Sequence, residues 1–105
     1  MLIRLSDFYG GASPNIFYDL GLVVTHQNYG YRGVIVAVDP VCMAGDTWYN
    51  TNKTQPNRNQ PWYHILVDGN QQVTYVAQSN LVYDQLEKPV IHPMLNLFFS
   101  GHDEE

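Results

Sequence analysis

Residues 32–39 read RGVIVAVD, and Pro40 follows them. Val34, Val36 and Val38 alternate with Ile35 and Ala37, the period of an extended strand whose side chains point to opposite faces. Both faces are apolar, which predicts a central strand or one wall of a small barrel. Proline has no amide to give to a ladder, so Asp39-Pro40 is expected to end the strand. Working toward the N-terminus, NYGY at 28–31 reads as a turn in which Gly30 supplies a positive φ. Before it, LGLVVTHQ at 20–27 is β-branched and apolar, a second strand. Residues 1–14 are a weak lead-in: LIRL suggests a short strand, broken by Gly10-Gly11 and Pro14.

On the other side of Pro40 a long loop, 40–61, is rich in Asn, Thr, Gln and Pro. Loops of this length in small domains carry function or move. Trp48 and Tyr49 sit inside it, on an expected helical turn with Asp46 as its N-cap. WYHILVD at 62–68 reads as a third strand, with Asp68-Gly69-Asn70 as the turn and VTYVA at 73–77 as its antiparallel return. QSNLVYD at 78–84 predicts a tight turn and a last short strand. The prolines of PVIHP, 89–93, enforce extended backbone. MLNLFFS at 94–100 is apolar at 94, 95, 97, 98 and 99, which predicts either a helical turn or a strap across the core. The tail, GHDEE, is polar and expected to fray. About five short strands with turns between them define an all-β class, a small barrel or open sandwich.

Composition narrows the chemistry. The 105 residues fit one domain. Ten acids against five bases leave a net charge of −5, the wrong sign for a strong non-specific hold on nucleic acid, which depends on Lys and Arg displacing counterions. Only 14% of residues are charged, against roughly 25% in an average domain. Eight Tyr, four Phe and two Trp make the chain aromatic-rich. The single cysteine, Cys42, excludes an internal disulfide. There is no run long enough for a membrane span and no signal-peptide pattern at the start, so a reducing, cytoplasmic setting is expected.

Catalytic patterns are weak. Cys42, His26, His64, His92 and His102 have no zinc-ligand spacing, so no metal or other cofactor is expected. Cys42 lies in apolar PVCMAG, the setting of a small buried hydrophobe rather than a nucleophile. Asp39 and Asp68 are explained by strand end and turn, and His64 has no evident partner. The glycines of YGYRG open a strand rather than a helix, so no helix N-terminus holds a phosphate. The remaining chemistry is aromatic. Trp62, Tyr63 and Tyr75 would make a stacking platform beside Arg32 and Arg58. Alternation instead sends Trp62 and His64 to one face and Tyr63 and Ile65 to the other, so one large ring is expected in the core and the other on the rim.

The stretches LGLVVTHQNYGYRGVIVAVDPV (20–41), QPWYHILVD (60–68), YVAQSNL (75–81) and IHP (91–93) resemble, in order and spacing, the YccV-like family, also called heat shock protein Q or the hemimethylated-DNA-binding domain. DPVCMAGDTW also resembles the copy of this domain at the end of certain F-box proteins. The resemblance implies an SH3-like barrel at 16–100, with 1–15 a lead-in and 101–105 an acidic tail. It implies a non-enzymatic binding protein, an adaptor or specificity factor for ATP-dependent proteolysis in the stress response, or alternatively a hemimethylated-DNA reader in replication-initiation control. Proteolysis is the wider theme: plastid relatives are protease adaptors and F-box relatives sit in ubiquitin ligases. Two departures matter here. Thr25 precedes His26 where a base is common, and Gln78 follows the Tyr-Val-Ala run where an acid is common. The expected partner is a protease or its client, with DNA second, self-association open and membrane excluded. The candidate partner surface is Tyr31, Arg32, Trp48, Tyr49, Arg58, Trp62 and His64, and a DNA reader would place Arg32, Lys53 and Arg58 on phosphates.

Overall fold

The computed structural model describes residues 16–99. The expectations about LIRL, His102 and the acidic tail lie outside them. Within them the chain forms an all-β domain with two short helices: β1 Val23–His26, β2 Arg32–Asp39, α1 Asp46–Thr51, β3 Trp62–Val67, β4 Val73–Ala77, a 3-10 turn Gln78–Asn80, β5 Leu81–Tyr83 and α2 Leu95–Phe98. The strands make one antiparallel sheet in the order β4-β3-β2-β1-β5. It curls into a small barrel. The 3-10 turn returns the chain from β4 to β5 beneath β1, where Gln27 N–H donates to Asn80 O at 2.9 Å.

β1 is shorter than the 20–27 expected because Gly21 takes φ +88 and turns the chain. β2 and β4 have the expected bounds. Inside the barrel, Val24, Ile35, Tyr63, Ile65, Val76 and Leu81 form the main core with Tyr18. The outer face of β2 and β3 is covered twice. Val34 and Leu66 are packed beneath Val90, Met94, Leu95 and Phe99, so 94–99 is both a helical turn and a strap. Trp62 and Ala77 lie beneath Cys42, Ala44 and Tyr49 from the 40–61 segment.

The expected alternation along β2 fails after Val36. Ile35 pairs with Ile65, but Ala37 pairs with His64, so Val36 is an extra, bulged residue. Val38 therefore joins Ile35 at the inner core while Val34 and Val36 stay outside. The same slip turns Asp39 to the outer face, opposite Trp62.

Gly33 shows how closely β2 and β3 approach. A Cβ there would lie 2.5 Å from both Ile65 Cγ2 and the Leu66 carbonyl oxygen, and the second is ladder backbone that cannot move aside. Gly33→Ala is expected to cost about 1–3 kcal/mol by overpacking, measured as a lower urea midpoint at unchanged slope.

Candidate functional site

Segment 40–61 is folded rather than loose. Proline ends β2, and Cys42 N–H then donates to Arg58 O at 2.9 Å, closing the segment on itself. Arg58 donates back to the carbonyls of Cys42 and Ala44. Its guanidinium lies 4.7 Å from the Tyr49 ring centroid and 3.6 Å from Asp46. Tyr49 OH donates to Pro56 O at 2.8 Å. α1 starts one residue earlier than expected: its N-cap is Gly45, and Asp46 lies in the first turn.

This lid corrects the reading of the adjacent rings. Alternation left one of the two rings for the rim, but both are buried: Tyr63 fully inside the barrel, and Trp62 only 3% exposed. Period-2 alternation gives direction, not depth, and the lid covers Trp62's face. Its indole N–H donates to Asn57 O at 3.3 Å. Trp48, Tyr49 and Tyr75 surround it with ring centroids at 6.2, 6.3 and 5.3 Å, a tilted and edge-on cluster suited to aromatic quadrupoles.

His64 does have a partner. The β2 bulge brings Asp39 Oδ2 to 3.2 Å from His64 Nε2 and 2.7 Å from Tyr75 OH. Tyr75 OH also accepts the Met43 amide at 3.0 Å, tying the lid's first turn to β4. Burial, then the bond to Asp39, pushes the Tyr75 phenol far above its ordinary range. It stays protonated and serves as a fixed donor. The Asp39–His64–Tyr75 group ties the end of β2, the middle of β3 and β4 together as a clamp.

Beside the lid lies a cleft of about 500 Å³. One wall is the β1–β2 turn with His26, Tyr29 and Tyr31, and the other is α1 and the residues after it, with Trp48, Tyr49 and Lys53. Gln72 and β4, Val73–Ala77, form the floor. Gly30 at φ +80 lets the turn bend and set Tyr29 and Tyr31 on either side of it. His26 accepts the Asn28 and Tyr29 amides through Nδ1 and stacks on Tyr29 at 4.5 Å. Its burial lowers its pKa, which favours the neutral ring. Tyr31 OH bonds Thr74 Oγ1 at 2.8 Å, joining the turn to the floor. Among the described residues lining the cleft, Lys53 is the single Lys or Arg, and no Asp or Glu appears.

Of the candidate surface residues, Tyr31, Trp48, Tyr49 and Trp62 meet at this cleft, while Arg32, Arg58 and His64 do not. Arg58 is held within the lid. Arg32 lies outside the cleft, with a side chain only 11% exposed. It is bidentate to Asp84 at 3.0 Å, bonded to Asp68 at 2.9 Å, and bonded to the carbonyls of Lys88 and Pro89. Both arginines have internal partners, acids and carbonyls that sequence separation hid and that folding brings to them. Sequence reasoning missed Tyr29 and Asn52. The two tyrosines bracketing Gly30 were the available signal for Tyr29, while Asn52 had none.

The molecule is a small β-barrel with an aromatic cleft beside β4. The chain belongs to the YccV-like family, described as hemimethylated DNA-binding protein YccV like, whose model matches residues 16–105. It is similar to F-box only protein 21 of Mus musculus, 36% identical over 89 residues, and to the proteins of the same name from Homo sapiens and Pongo abelii, each 35% identical. The matches cover 82% of this chain but 14% of each relative, so the chain spans about a seventh of their length.

Proposed function

We propose that this protein is a non-enzymatic, cytoplasmic adaptor whose aromatic cleft binds a protein partner and passes it to, or tunes, ATP-dependent proteolysis in the stress response. The observation that carries this is the fate of the cations. Of the three residues proposed for phosphates, Arg32 and Arg58 are spent on internal partners. Lys53 is left beside a wall of rings. Rings backed by a rigid frame are good anchors for protein interfaces, whereas duplex binding gains most from several unpaired cations.

Degradation of a model substrate by a purified protease of the Lon or Clp type is expected to change rate when this protein is added, and Trp48→Ala should abolish the effect. An unchanged rate sinks the adaptor reading. The family's description favours a second reading, hemimethylated-DNA binding. It requires tighter binding of a hemimethylated duplex than of unmethylated or fully methylated ones. The cation count predicts weak binding to all three, with a shallow salt dependence of about one phosphate contact.

A further inference from the structure

The cleft lies along a strand edge. In the β3–β4 ladder, Val67 N–H donates to Gln72 O at 3.1 Å and Gln78 N–H to Pro61 O at 2.9 Å. Hydrogen-bonded pairs alternate in an antiparallel ladder. The register Ile65↔Thr74 and Tyr63↔Val76 therefore turns the backbone groups of Thr74 and Val76 toward β3. Those of Val73 and Tyr75 point the other way. β4 is the last strand of the sheet, and among the described residues no group bonds those outward amides and carbonyls. The cleft is lined from both faces of β4, by inner-face Thr74 and Val76 and by outer-face Val73 and Tyr75. A cavity touched by both faces of one strand lies along its edge. Val73 is also 49% exposed, so the edge is accessible.

We infer that the cleft captures an extended polypeptide segment as an added strand on β4, a mode in which main-chain bonds give affinity and flanking pockets read alternate side chains. The inference rests on the protein-binding reading above and specifies its partner. The segment covers about five residues, or about 17 Å, to match β4. Its alternate side chains fit between Tyr31 on one wall and Trp48 on the other. Charge decides its composition: neutral except for an acid at the Lys53 end. A nucleic-acid strand would meet one cation and leave the donors and acceptors of the β4 edge unmatched.

The test uses the full chain, dodecapeptides selected on it from a phage-displayed random library, and a twelve-nucleotide oligothymidine. Selected peptides are expected to slow amide exchange at Val73 and Tyr75. Methylating alternate peptide nitrogens in one phase should weaken binding about tenfold or more, and in the other phase little. Val73→Pro should weaken binding about three- to tenfold, the scale of one net hydrogen bond. It removes only an outward-facing donor, which edge strands tolerate, and Val73→Ala should retain that bond. Peptides that bind but leave exchange at Val73 and Tyr75 unchanged, with no phase dependence, overturn strand addition and leave the protein-binding reading standing. No enriched peptide, or tighter binding of oligothymidine, overturns both.

Discussion

Trp62→Ala is expected to lower the unfolding free energy by about 3–5 kcal/mol, the range for removing a large aromatic side chain from a core. Trp62 belongs to that range because it is buried on the outer face of β3, under Cys42 and Tyr49 and against Tyr75. The truncation would also free Trp48 and Tyr49 of the ring they rest on, so the cleft wall should loosen with the lid. Urea unfolding measures the first effect. Amide exchange at Cys42, whose N–H is bonded to Arg58 O, measures the second and should accelerate. Unchanged stability with lost partner binding would instead place the ring at an interface.

Arg32→Ala is expected to cost about 3 kcal/mol, the low end for breaking a buried ion pair, because Asp68 and Asp84 lose their counter-charge but each keeps an amide donor, Ile91 and Glu87. Arg32 holds three places together: the end of β5 through Asp84, the β3–β4 turn through Asp68, and the 88–89 backbone. Asp68 in turn accepts the Ile91 amide at 2.7 Å, and Gly69 N–H donates to Ile91 O. The C-terminal strap should therefore detach first, with faster exchange at Ile91. Arg32→Lys should restore little, since a point charge cannot reproduce a planar fork on one carboxylate. The network also fixes the acid response. The hydrogen bonds from Arg32 hold the Asp84 carboxyl at about 2, below its ordinary 3.8. A depressed carboxylate stabilises the fold fully above the unfolded value and loses that contribution as pH falls toward the folded value. Stability should drop between about pH 4 and pH 2, and Asp84→Asn should flatten the slope in that window.

Much of the fold was legible because β strands declare themselves locally. RGVIVAVD and VTYVA each gave a strand with the bounds later found, since β-branched periodicity and the flanking proline or turn act within a few residues. The bulge at Val36 was not legible. Val34, Val36 and Val38 form an unbroken alternating set, and only pairing with β3 shows that one residue is extra. On that slip depends whether Asp39 faces the core or meets His64 and Tyr75.

The candidate site divides in the same way. Trp48, Tyr49 and Tyr31 stand out by ring type and by their place in loop or turn, and all three line the cleft. Arg32 and Arg58 stand out in the sequence by their charge, and folding gives each of them internal partners. The sequence by itself determined the strand set, the poor supply of cations and the family, because these depend on residue type and short-range order. Tertiary structure alone decided which rings are buried, which arginines are free and which strand edge stays open. Those depend on partners far apart in sequence, 57 residues between Arg32 and Pro89, and no local pattern encodes which distant group a side chain will meet.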